Sequence, residues 1–379
     1  MKIAVVAGIC VERDAISAAA SDQAHMLGQL EGVGDVLLIT QWHDRVCAAR
    51  IVTVGDPWSL ALHPEIEQSD LVIFHWGIHY QLFDALPVIA AERPTAVHFH
   101  NITPAHLLPE ADRVVIEDST RQIQLPLLTQ TKMWAVSAYN RATLADWGYP
   151  EEQTRLVPFP VGRGRHPIRK IRSRDCVRLL TVGRLVPAKG VGVLVTAMRS
   201  VMRALDGKVS LVLAGSAELS NREYIAELTD AIRMDGLDRH VVIKQDLDDR
   251  ALALEYERAD VLVSPSLHEG LCVPVIEAYR AGCNVVGTEA GNLPYIVQSP
   301  DPVVPAGDPD ALAEAIVRLG RQVLTGANRI PDGAAEVIAM YSEDNTRREL
   351  AAAVAELAPV GFPARLRTAS ADVRRARPG

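Results

Sequence analysis

Short apolar runs alternate with helix-compatible segments along the chain, and the whole alternation occurs twice. Strand-type runs rich in Val, Ile and Leu fall at residues 2–6, 36–40, 71–75, 96–100 and 133–136, with a helical pattern at 14–30 after the first. A stretch rich in Pro, Gly and Arg follows at 158–167, and then the pattern restarts. The second round has strands at 178–182, 210–214, 241–244, 261–263 and 284–287, and helices at 190–204, 221–234, 250–258, 274–281 and 308–319. Strands joined through helices pair in parallel, because a parallel neighbour cannot be reached through a tight hairpin. The expected fold class is α/β, with two Rossmann-like halves facing each other across a cleft. In such sheets, ligands sit beyond the carboxyl ends of the strands.

At 379 residues the chain exceeds one ordinary core. It divides into a first domain over 1–160, a linker over 161–176, a second domain over 177–335, a final helix over 336–358 and a basic tail over 359–379. Hydrophobic residues make up 48% and charged residues 23%, which excludes a disordered chain. No apolar run of about eighteen residues occurs, so no transmembrane helix is expected. The apolar start runs directly into Glu12 and Asp14, which reads as a first strand and not a signal peptide. Cys10, Cys47, Cys176, Cys272 and Cys283 have neither metal-type nor redox-pair spacing, as expected of buried thiols in a reduced cytoplasm. A net charge of −8 argues against a general nucleic-acid binder. The tail arginines Arg365, Arg367, Arg374, Arg375 and Arg377 read as a frayed end, with an acidic-lipid contact as the minor alternative.

Chemistry concentrates in two segments of the second half. In residues 261–297 a strand runs into the acidic loop His268-Glu269-Gly270, and a helix follows with Pro274 near its first position. Glu269 then stands at the helix mouth and Glu277 in the first turn. The N–H groups of Leu271, Cys272 and Val273, aided by the helix dipole, form an anion site between the two acids. Cys272 in this loop reads as a small filler, not a nucleophile. Upstream, Gly183-Arg184-Leu-Val-Pro-Ala-Lys189-Gly190 follows a strand and precedes a helix. Arg184 offers a planar fork for phosphate oxygens and Lys189 a mobile point charge. Acids on both sides of a phosphate site suit a ligand with phosphate in the middle and hydroxyls at both ends, such as a sugar nucleotide.

These motifs, the glutamates eight apart and the G-R-L-x-x-x-K-G loop, resemble those of the retaining glycosyltransferases of family 4. The resemblance implies the GT-B fold, with the last helix crossing back to the first domain. It implies that Arg184 and Lys189 stabilise the departing nucleoside diphosphate, that Glu277 binds ribose, and that Glu269 binds the transferred sugar. His100 aligns with the histidine that the family places over the donor sugar, where it could donate a hydrogen bond. His98 lies on the same strand face, so that assignment can slip by two residues. Asn101 stands where many relatives carry Asp, which removes an acidic role there. The resemblance implies no metal and no cofactor beyond the nucleoside diphosphate sugar as co-substrate.

On the acceptor side, Asp14, Asp22, Trp76 and His79 are candidates, with core packing an equal rival for Trp76 and His79. The first βα loop has one glycine where relatives often have two, which leaves the acceptor end of the site undefined. His75 and His79 are four apart but lack the glutamate of a zincin, so metal binding is set aside. Asp246-Leu-Asp248 resembles a metal-carrying Asp-x-Asp but follows the wrong strand, and residues 244–247 read as part of the base pocket. The family's acceptors range from lipids and polysaccharides to small metabolites. The charge, and the lack of a basic amphipathic helix, tilt toward a soluble acceptor with no membrane contact. The base, the sugar and the oligomeric state leave no sequence signal. Two other classes fit a double Rossmann chain: a non-hydrolysing sugar-nucleotide epimerase and a non-catalytic nucleotide-sugar-binding protein.

Overall fold

The structure is a computed structural model and describes all residues except 13, 46, 109, 111–112, 163–174, 218–219 and 359–379. Most of the expected linker, and the whole arginine-rich tail, lie outside the described residues. The strands in chain order are β1 (Lys2–Val6), β2 (Ile9–Cys10), β3 (Asp35–Thr40), β4 (Trp42–His43), β5 (Arg50–Thr53), β6 (Leu71–Trp76), β7 (Thr95–Phe99), β8 (Lys132–Ala135) and β9 (Thr154–Leu156). They continue as β10 (Val177–Val182), β11 (Val209–Gly215), β12 (Val241–Gln245), β13 (Val261–Val263), β14 (Asn284–Thr288) and β15 (Val303–Val304).

The first half carries a seven-stranded sheet of order β5-β3-β1-β6-β7-β8-β9, and the second a six-stranded sheet of order β12-β11-β10-β13-β14-β15. Strands β2 and β4 pair separately. All of these pairings are parallel. In each sheet the order reverses beside the first strand: β1 lies between β3 and β6, and β10 between β11 and β13. That reversal opens a crevice at the strands' carboxyl ends. Both β6 and β14 are buried along their full length, as strands covered on both faces are; they are mainly apolar, with His75, Asn284 and Thr288 as buried polar members.

Helix starts follow from short polar side chains that accept otherwise orphaned N–H groups. Asp14, Ser137, Asn221, Asp248, Asp308 and Ser342 each cap a helix in this way. The segment read as one final helix is two, Ala334–Met340 and Glu343–Leu357: the first ends at its C-cap Tyr341 and Ser342 caps the start of the next. The second of these packs on the first sheet. Its Leu350, Ala353 and Val354 join a core with Ile3, Val5 and Trp134, while Arg155 pairs with Glu349 at 3.2 Å and with Glu356.

Candidate functional site

A cavity of about 570 Å³ lies between the two sheets, where loops from both sets of strand ends meet. Its C-terminal wall contains Gly183, Arg184, Lys189, Glu269, Gly270, Leu271, Cys272 and Val273. Gly190 closes the first of these loops with φ of +65°, and a Cβ there would stand 1.9 Å from the Pro265 carbonyl oxygen. No side chain fits, so glycine is what lets the Arg184–Lys189 loop seat against the acidic loop. Lys189 Nζ donates to Glu269 Oε1 at 2.7 Å, and Ser266 Oγ donates to the same oxygen at 2.7 Å. Glu269 is buried and Arg184 exposed.

The helix Val273–Arg280 starts from Cys272, which caps it in the left-handed conformation at φ 64° and ψ 67°. Among the described residues nothing accepts from the N–H of Leu271, Cys272 or Val273, so three donors face the cavity end of the helix. Burial pushes the Cys272 thiol well up and keeps it protonated, which suits a packing residue and not a nucleophile. Glu277 corrects one expectation. It lies beyond the first turn, does not line the cavity, and is buried with its Oε2 accepting from Tyr256 Oη at 2.8 Å. Asp246 and Asp248 both serve the backbone, accepting from Ala217 N at 3.1 Å and Ala251 N at 2.7 Å.

Across the cavity His100 follows β7 directly and lines the wall, as does Asp14. His98 does not line the cavity. It is buried, with Nε2 2.8 Å from the Val157 carbonyl oxygen, so of the two His100 is the one at the cavity wall. Burial, reinforced by neighbouring histidines, holds His75 and His100 far below the ordinary imidazole value, and burial lowers His98 to about 4. All three rings are therefore neutral at pH 7.

Of the acceptor-side candidates, Asp14 is at the cavity, but its Oδ2 already accepts from Ser17 N at 2.7 Å. Trp76 is a core residue. It is fully buried, donates from Nε1 to Gln122 Oε1 at 3.0 Å and stacks on Phe99. His79 is tied through its backbone N–H to Ser119 Oγ at 2.8 Å, and the neighbouring Gly77 and Ile78 line the cavity in its place. The remaining wall here is apolar, with Ile16, Ile102 and Leu108.

Two connections had no readable sequence signal. His268 Nε2 donates to Asn101 Oδ1 at 3.1 Å, and Ser137 Oγ donates to the Gly270 carbonyl at 2.6 Å, both joining the halves. Asn101 also donates to Asn140 at 2.7 Å, so it stitches the cleft where an acid would stand in many relatives. A Cβ on Gly270 would come within 2.9 Å of Asn101 Cβ and of the His100 carbonyl, so glycine permits that approach. The cysteines are less scattered than their numbering suggests. Cys10 and Cys47 bring their sulfurs to 3.4 Å, with burial pushing the Cys10 thiol up to about 12.

Residues 176–322 match the model of the family described as glycosyl transferases group 1. The amylovoran biosynthesis glycosyltransferase AmsK of Erwinia amylovora is 24% identical over 310 residues, covering 76% of this chain and 71% of that protein. The MMP α-(1→4)-mannosyltransferase of Mycolicibacterium hassiacum is 31% identical over 181 residues, 46% of this chain and 42% of its own length. The structure of Anabaena HepE in complex with UDP and glucose superposes with a TM-score of 0.72 at 18% identity, covering 94% of this chain and all of that one. The sucrose-phosphate synthase structure from Thermosynechococcus elongatus gives 0.71 at 17% identity, with 94% and 98% covered. The fold shared with these structures is GT-B. Among the described residues no helix is long and apolar enough to cross a membrane.

Proposed function

From a chain that belongs to the group 1 glycosyltransferases, we infer a retaining, metal-independent transfer of a sugar from a nucleoside diphosphate sugar to an acceptor hydroxyl. The observation that carries this is the cavity's C-terminal wall: two cations, three unpaired N–H groups and a buried carboxylate within one pocket. In this reading Arg184, Lys189 and the N–H groups at 271–273 receive the diphosphate and stabilise it as it leaves. The charge that a divalent ion would otherwise neutralise is met by these groups, so activity should persist in EDTA. Glu269 receives hydroxyls of the transferred sugar, and Glu277 serves the ribose from beneath the helix mouth. That HepE is described with UDP and glucose supports a nucleotide-sugar donor here.

The described residues of the N-terminal wall support retention. An inverting reaction needs a base behind the reactive carbon. Among the described residues Asp14 is the carboxylate on that wall, and its Oδ2 is committed to a helix cap. His100 sits in a setting that disfavours its protonated form, which makes it a poor base. The acceptor proton therefore passes to an oxygen of the leaving diphosphate on the same face. The apolar stretch formed by Ile16, Ile78, Ile102 and Leu108 supports an acceptor with an apolar portion beside its hydroxyl.

A panel of nucleoside diphosphate sugars, screened first by thermal shift and then with acceptors, tests the assignment. Proton NMR of the product should show the donor's anomeric configuration preserved, and an inverted coupling constant defeats the retaining mechanism. Epimerisation of the donor's sugar without any acceptor would favour an epimerase instead.

A further inference from the structure

Behind His100 lies a group of side chains that the reaction above leaves without a task. His75, His98 and Gln23 are each no more than 2% exposed, and hydrogen bonds run through them without a break. His100 Nε2 is 2.9 Å from His75 Nδ1, and His75 Nε2 is 2.8 Å from Gln23 Oε1. Gln23 Nε2 is 2.8 Å from His98 Nδ1, and His98 Nε2 is 2.8 Å from the Val157 carbonyl oxygen.

One member of this chain has a fixed sense. A backbone carbonyl only accepts, so His98 must donate from Nε2, and as a neutral ring it must accept at Nδ1. Gln23 therefore turns its NH₂ toward His98 and its oxygen toward His75. That oxygen accepts from His75 Nε2, which leaves the His75 Nδ1 lone pair to accept from His100 Nε2. His100 is thereby left with its proton on Nε2 and a lone pair on Nδ1, which has no partner among the described residues. Burial keeps every ring in the chain neutral, as this sequence of donors and acceptors requires.

We propose that Gln23, His75 and His98 are positioning residues that lock His100 as the neutral Nε2–H tautomer, so that it meets the donor sugar as a hydrogen-bond acceptor through Nδ1. This rests on the reading of the cavity as a donor-sugar site, and it reverses the sequence-based expectation of a donating histidine. The consequence is selective. A sugar hydroxyl gives its proton to this nitrogen, whereas a second acceptor group on the sugar would face a lone pair. A lone pair also tolerates the positive charge that spreads over a sugar ring as its leaving group departs. The three histidines bring ring nitrogens within 4.8 Å of one another, the spacing of a loose metal-ligand set. A metal would need lone pairs now engaged by Gln23 and His100, so the continuous bonding favours the lock.

Two-bond proton–nitrogen NMR of protein labelled on the histidine rings reads the tautomers directly, with His100 assigned by comparison with His100→Ala. The expected spectrum has His100 unprotonated at Nδ1 and protonated at Nε2. Gln23→Met, of similar length, should scramble that tautomer and lower kcat about tenfold or more while free nucleoside diphosphate still binds as in the parent. Conservative Gln23→Asn checks that a shortened amide does not restore the lock. His100 protonated at Nδ1 in the parent protein overturns the proposal, as does an unchanged His100 tautomer in Gln23→Met. A stoichiometric tightly held metal ion that disappears in His75→Asn overturns it too. If His100→Ala leaves donor turnover intact while the parent spectrum is as expected, the donor-sugar reading fails and the tautomer lock stands.

Discussion

Lys189 and Glu269 hold each other at 2.7 Å, yet on the proposed donor they serve different groups, the diphosphate and the sugar. Binding must divide Lys189 between a carboxylate and phosphate oxygens. Glu269→Gln keeps an oxygen for Ser266 and removes the competing charge. Free nucleoside diphosphate should then bind about 1 kcal/mol more tightly, the scale of one screened charge contact. Turnover with the full donor should fall roughly tenfold to a hundredfold, the loss of a hydrogen bond to a charged group. Calorimetry and steady-state rates check the two halves, and a weakened diphosphate would sink the division of labour. Tyr256→Phe removes the hydroxyl that holds Glu277 and should weaken free nucleotide binding by about 1 kcal/mol, read by the same calorimetry. What sequence could show at this scale was what is local in sequence. The Arg184–Lys189 loop and the 269–273 mouth each lie within a few residues, and their members line one cavity. Gln23, His75 and His98 meet across three elements, and no spacing announces that. Trp76 had two equal readings, acceptor pocket and core, because a residue at a strand end does not declare which face it joins; the structure places it in the core.

Elements were more legible than contacts, because a strand buried on both faces is mainly apolar and stands out as a run of Val, Ile and Leu. The expected strands at 2–6, 71–75 and 261–263 match β1, β6 and β13 closely. The strands that left no signal were peripheral: β5, β9 and β15 stand at sheet edges and β2 and β4 form a separate short pair; β5 and β9 are at most half-buried, so apolar character is not demanded of them. A single substitution would damage the turn entering the helix Val191–Ala204, where Gly190 sits at φ +65° with the Pro265 carbonyl in the place of a side chain. Gly190→Ala meets both a disfavoured backbone and a collision with main chain, which cannot swing away. It should lower stability by at least about 1–3 kcal/mol. It should also displace Lys189, so that diphosphate affinity falls together with the unfolding midpoint. A variant with parental midpoint and affinity would mean that the loop does not depend on this contact.

The whole molecule stores a pH dependence in the same interior that tunes the site. His75, His98 and His100 have folded pKa values below the ordinary 6.5, His98 at about 4, and His268 is lowered as well. Once unfolded, each recovers its ordinary value and binds a proton that the folded state refuses. In that interval the unfolded chain carries more protons, so stability rises with pH and falls on acidification. Each fully buried histidine withdraws about 1.4 kcal/mol per pH unit below its unfolded pKa until the folded ring titrates. Asp301 acts in the opposite sense. Burial raises its pKa from 3.8 to about 6, so between those values the folded state holds the extra proton and gains on acidification. One such acid offsets one histidine, and the remaining histidines set the sign. The unfolding midpoint should therefore drop steadily as pH falls from about 6.5 towards 4, with net proton uptake on unfolding, before most carboxylates titrate. Calorimetry in buffers of different ionisation enthalpy measures that uptake. A midpoint that stays level or climbs over this range would show that the histidine cluster is charged in the folded protein, and with it the neutral chain from Val157 to His100 would fall.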